Sequence, residues 1–141
     1  MFRWLTLLTG AALAAPVFAE PPRLAQPVDC TLGSTCYIQN YVDRDTDKGS
    51  AADHMCHGLT YDGHKGTDFA LHSLKQMQDG VNVLAAASGI VRGTRDEMPD
   101  TGLTGDVTDR ECGNGVVIDH GEGWQTQYCH MKLGSVLVHK G

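Results

Sequence analysis

The clearest alternation of apolar and polar positions lies in the second half of the chain. Here "VNVLAAASGIVRG" (81–93) and "GNGVVIDHGEGWQTQYCHM" (113–131) are short β-branched runs separated by glycine, the pattern of strands. Gly121-Glu122-Gly123 sits at the centre of the second run and predicts a hairpin turn. With that three-residue loop, Ile118 opposes Thr126, Val116 opposes Tyr128 and Asn114 opposes His130. Period two then puts Trp124, Thr126, Tyr128 and His130 on one face. A slip of one residue would turn His130 to the other.

Upstream, "LHSLKQMQDG" (71–80) spaces Leu71, Leu74 and Met77 for one or two helical turns and ends on a glycine stop. "YIQNYVDRD" predicts a short strand, "RDTDKGSAAD" a polar loop, and the proline-rich "EPPRLAQPVD" (20–29) an extended lead-in. The acidic, turn-rich "TRDEMPDTGLTGDVTDRE" (94–111) predicts a long surface loop, either rimming a cleft or simply solvated. These elements together predict a mostly β protein.

The first 19 residues change the picture, because Arg3, an apolar stretch and small residues before Glu20 are the layout of a secretory signal peptide cleaved after Ala19. No stretch approaches the ~20 apolar residues of a membrane span, and no cysteine follows the cleavage site for lipidation. A periplasmic or secreted protein is expected. Losing Arg3 takes the net charge from −6 to −7, which disfavours nucleic acid and anionic membranes as partners. What remains of the 141 residues suffices for one modest domain.

The five cysteines, at 30, 36, 56, 112 and 129, are expected to pair in an oxidising compartment. Five is odd, so either one thiol is free or its partner lies elsewhere. Cys30 and Cys36 bracket a short "TLGST" turn and form the favoured local bridge. Cys112 and Cys129 lie on the two hairpin arms and can meet only if the register or the strand start shifts.

Candidate chemistry is concentrated in "YDGHKGTDFAL" (61–71). In a straight strand His64 and Asp68 would stand roughly 13 Å apart. A helix is disfavoured by Gly66, Thr67 and the Asp62-Gly63 turn signal. A bent strand kinked at Gly66 would let imidazole nitrogen and carboxylate oxygen converge, a pair that suits zinc. The alternative is a surface turn with a solvated histidine and aspartate.

Three pieces in order, "GHKGTDFA", "GVNVLAAASGIVRG" and "GNGVVIDHGEGWQTQYCHM" followed by "GSVLVHKG", resemble the lysostaphin-like and LytM-like zinc metallopeptidases. The resemblance implies an antiparallel β-sandwich of the duplicated-hybrid-motif type, incomplete at its C-terminus. It divides the chain into a signal peptide (1–19), an N-terminal extension (20–57) and a partial metallopeptidase domain (58–141). It also implies zinc on His64 and Asp68, His130 as the assisting catalytic histidine of a tyrosine-x-histidine strand, and peptidoglycan cross-link peptides as substrate. His120 has no ligand role in this scheme, and His54, His57, His72 and His139 are expected to be exposed.

Family members carry a later H-x-H motif that completes the zinc site, and these 141 residues contain none. The expectation is a fragment of an exported zinc metalloendopeptidase, inactive alone. The alternative is a non-catalytic wall-binding or regulatory relative, and a third reading is a disulfide-tied structural β-domain.

Overall fold

A computed structural model describes residues 20–102 and 104–141, so the leader expected over 1–19 lies outside the described residues. The elements are β1 (Cys36–Asn40), β2 (Asp68–Leu71), α1 (Leu74–Asp79), β3 (Ile90–Arg95), β4 (Asn114–Gly121) and β5 (Trp124–Met131). The strands form two antiparallel sheets, ordered β1-β2 and β3-β4-β5. The mostly β, antiparallel expectation holds. Among the described residues no helix is long and apolar enough to cross a membrane.

Helix α1 ends where its caps require. The Ser73 side chain accepts the Gln76 amide, and Gly80, at φ 90°, donates its own N–H to Gln76 O.

The β4-β5 hairpin keeps the expected pairs Ile118–Thr126 and Val116–Tyr128 but departs from the simple alternation at both ends. Gly121 pairs with Trp124, so the loop has two residues, Glu122 and Gly123. Both adopt positive φ, 51° and 82°, the conformation of tight hairpin turns. At the open end Asn114 pairs with Met131, not His130. β5 therefore carries one extra residue there, and His130 sits at φ 59°. The expected row of Trp124, Thr126, Tyr128 and His130 breaks at that bulge: Thr126, Tyr128 and Met131 are half-buried, while His130 is exposed.

The same shift in register brings the Cα atoms of Cys112 and Cys129 to 4.7 Å, and they form a disulfide. Cys30 and Cys36 are bridged as well, leaving Cys56 as the exposed free thiol.

Residues 81–86 were expected to read as a strand, yet they make only an isolated bridge, Val83 to Val28. Their partner is the proline-rich segment: Ala25 N donates to Ala86 O (2.7 Å), Leu84 N to Pro27 O (2.8 Å) and Asp29 N to Asn82 O (2.9 Å). Pro27 can take part because the bond uses its carbonyl.

Tyr128 joins this pair of segments to the larger sheet, its hydroxyl accepting the Ala86 amide at 2.8 Å and bonding the Thr126 hydroxyl at 2.9 Å. His120 extends the chain, with Nε2 2.9 Å from Thr126 Oγ1 and Nδ1 donating to Ser88 O at 2.8 Å. Buried Val116 and Ile118 on β4, together with Ala86 and Cys36, make up the apolar core.

The loop between β1 and β2 is held by carboxylates. Asp43 accepts the amides of Asp45, Ala52 and Gly63, at 2.9–3.0 Å. Asp53, only 4% exposed, accepts those of Met55, His57 and Leu59. These bonds, the Ala52 amide foremost for Asp43 and the His57 amide for Asp53, hold both carboxyls below the usual carboxylate range.

Two predictions follow from this packing. A Cβ on Gly115 would collide with the Tyr128 carbonyl oxygen, whereas one on Gly93 meets nothing within 4 Å. Gly115→Ala should destabilise by about 1–3 kcal/mol and Gly93→Ala by less than about 0.5 kcal/mol in urea unfolding.

The loop carboxylates predict an acid sensitivity. Their folded pKa values are depressed, so the stabilisation is present above the unfolded value of about 3.9 and is lost as pH falls through the lower folded values. Protection of the amides over residues 43–63, measured against their intrinsic exchange rates, should fall below about pH 4. In Asp53→Asn the same amides should already exchange faster at neutral pH.

Candidate metal centre

His64 is placed by a turn and a long-range clamp. Its amide donates to Tyr61 O (3.0 Å), closing the Asp62-Gly63 turn, and its carbonyl accepts the Asp43 amide (2.8 Å). The ring stacks on Tyr61, with centroids 4.4 Å apart and planes 30° apart. The side chain is 8% exposed.

Asp68 opens β2. A register shift in β1 between Ile38 and Asn40 sets Asn40 opposite it, and Asn40 Nδ2 donates to Asp68 Oδ2 at 2.9 Å. Between the two residues the chain bends at Gly66. His64 Nε2 thus lies 3.2 Å from Asp68 Oδ1, far inside the roughly 13 Å of a straight strand. A Cβ at Gly66 would come to 3.9 Å from that nitrogen, so the bend lies against the imidazole.

The hydrogen bonds determine the chemistry of the pair. His64 Nδ1 lies 2.8 Å from Tyr41 O, and a carbonyl only accepts, so Nδ1 carries the hydrogen. In the neutral ring Nε2 then presents a lone pair to a carboxylate oxygen. Two acceptors at that separation need a shared cation or proton between them. Asp68 is further restrained because its second oxygen is committed to Asn40.

The structure brings His64 and Asp68 together. Among the described residues no hydrogen bond or ion pair links His130 to either. It stands at the bulge of β5, its amide donating to Cys112 O (2.8 Å), beside the Cys112–Cys129 disulfide. No group of three or more His, Cys, Asp or Glu able to hold a metal occurs among the described residues. His54, His57, His72 and His139 are exposed, as expected, although His54 packs edge-on to Tyr41 at 4.6 Å.

Sequence reasoning missed the two groups that orient the pair, the Asn40 amide and the Tyr41 carbonyl. Asn40 acts across the β1-β2 pairing on a residue 28 positions away, and the Tyr41 carbonyl acts from just beyond that pairing on a residue 23 positions away. The only local trace is that a polar residue ends the apolar run of β1.

Searches among curated proteins and among solved structures gave no match. A family model does match: Peptidase family M23, over residues 62–141. The matched stretch covers more than half of the chain and contains the bent His64–Asp68 segment, α1 and the whole β3-β4-β5 sheet, and on that ground the chain belongs to peptidase family M23.

Proposed function

We propose that this chain is the zinc-binding part of an exported metalloendopeptidase that hydrolyses peptide bonds, with peptidoglycan cross-links as the substrate class. The observation that carries the metal reading is the 3.2 Å approach of His64 Nε2 to Asp68 Oδ1, with Nδ1–H already committed to Tyr41 O. Two donors of one tetrahedral zinc, each at about 2.0–2.2 Å from it, stand about 3.3–3.6 Å apart, and the observed 3.2 Å lies close to the short end of that range. The donor set therefore fits zinc. Its surroundings also fit, since metal-binding histidines commonly give their other N–H to a carbonyl and ligating carboxylates are themselves hydrogen-bonded.

Zinc bound there would supply a Lewis acid that polarises a peptide carbonyl and makes water acidic enough to attack it at neutral pH. The chain's own residues do the rest. His64 and Asp68 hold the ion, Asn40 and the Tyr41 carbonyl fix their orientation, and the exposed His130 imidazole contacts the reacting carbonyl or the attacking water. Two disulfides support export to an oxidising compartment.

A catalytic zinc takes three protein ligands and an open position, whereas the described residues bring two together. That observation favours a second reading, a non-catalytic wall-binding or regulatory relative.

Zinc titration of the purified chain, run alongside turnover of purified cell wall, tests the proposal. One zinc per chain should bind and be stripped readily by a chelator. His64→Ala should abolish uptake, and Asn40→Ala should lower affinity by about ten- to a hundredfold. No wall hydrolysis is expected from two ligands alone. Zinc affinity unchanged in His64→Ala and Asp68→Ala would sink the metal site. Wall binding that needs neither residue would make the non-catalytic module correct.

A further inference from the structure

Beside the candidate metal pair lies an open cavity of about 460 Å³ whose wall includes Tyr41, Arg44, Asp53, His54, Cys56 and Thr67. It is contiguous with the pair through two of these residues: Tyr41 gives its carbonyl to His64 Nδ1, and Thr67 precedes Asp68 in the chain. Its size is that of a pocket for a small polar group or side chain.

The charges around it are unequal in availability. The acidic side chain in its wall, Asp53, and the sequence neighbours of Arg44, Asp43 and Asp45, are already engaged by other donors, while Asp47 further along the loop makes no ion pair with Arg44 among the described residues. Asp43 accepts three backbone amides, Asp45 accepts the Asp47 amide and the Ser50 hydroxyl, and Asp53 accepts three amides and is 4% exposed. Among the described residues the Arg44 guanidinium makes no ion pair and no side-chain hydrogen bond, although its own amide is held by Ala52 O at 2.7 Å. The result is an exposed arginine in the cavity wall, held at its backbone, whose planar fork of donors has no partner among the described residues. Such a fork matches a carboxylate in two-point geometry. A cationic ligand fits less well, because the one carboxylate in the wall has its oxygens occupied by amides.

We propose that this cavity is a subsite for a carboxylate of the peptide substrate, with Arg44 as the residue that recognises it. The His54 ring, edge-on to Tyr41 at 4.6 Å, forms part of the wall against which the ligand's carbon atoms rest. The inference rests on the metallopeptidase reading for the claim that the bound group is part of a substrate. The ligand recognition itself needs no metal. On this account the chain prefers peptides carrying a free carboxylate on a residue close to the scissile bond over neutral peptides of the same length.

The test uses the full chain and two probes, acetyl-dialanine with a free α-carboxylate and the same dipeptide as its C-terminal amide. Binding is followed by nuclear magnetic resonance shifts at the Tyr41, Arg44 and His54 amides, without zinc and then with it. The acid should bind at least about tenfold more tightly than the amide. Arg44→Gln should remove that difference, and Arg44→Lys should restore part of it, which also guards against a variant that merely fails to fold. Equal binding of acid and amide by the native chain, or an acid preference that survives Arg44→Gln, overturns the subsite. Its failure is separable from failure of the metal reading. A chain that takes up zinc but shows no acid preference loses only the subsite; one that prefers the acid but takes up no zinc keeps a carboxylate site and loses the peptidase assignment.

Discussion

The hydrogen bond from His64 Nδ1 to the Tyr41 carbonyl is the constraint on which the functional half of this molecule depends. It removes one of two tautomers by making Nδ1 the donor. It also ties the bent segment that carries His64 to the residue directly after β1. Asn40, the residue before Tyr41, makes the companion bond to Asp68. Two consecutive residues of one strand end therefore orient both members of the pair, and any change in the pairing of β1 with β2 would misplace both at once.

The loop that closes this arrangement is stabilised by polar groups more than by apolar burial. Met55, Leu59 and Tyr61 are exposed, whereas Asp53 and His64 are among the buried residues. A carboxylate that accepts three amides satisfies donors that an irregular loop would otherwise leave to water. It also remains ionised. The cost of burying its charge is offset by those amides, which are fixed in place by the same turns they stabilise.

The elements set by local chemistry were legible in the sequence. Gly80 marks the end of α1, the glycines at 121 and 123 mark the hairpin, and the Ile118–Thr126 and Val116–Tyr128 pairs follow from period two. The approach of His64 to Asp68 was legible as one of two readings, because Gly66 and the turn signal disfavoured a helix and allowed a bend, while a solvated surface turn stayed open. What escaped was non-local. The pairing of 25–29 with 82–86, the clamp from Asn40 and Tyr41, and the amide-accepting roles of Asp43 and Asp53 all depend on contacts that no short window of sequence contains.

The bulge at His130 shows how a covalent constraint overrides side-chain alternation. Strict alternation would have put His130 in the row of Thr126 and Tyr128 and kept Cys129 in step with Gly115 across the hairpin. The disulfide requires Cys129 to meet Cys112 instead. One extra residue on β5 absorbs the mismatch, and a positive φ at His130 takes up the turn of the backbone. The imidazole that would have packed beside Tyr128 is turned out to solvent, while its amide is held on Cys112 O and its neighbour is covalently fixed. A histidine in that position is anchored at its backbone and open at its ring.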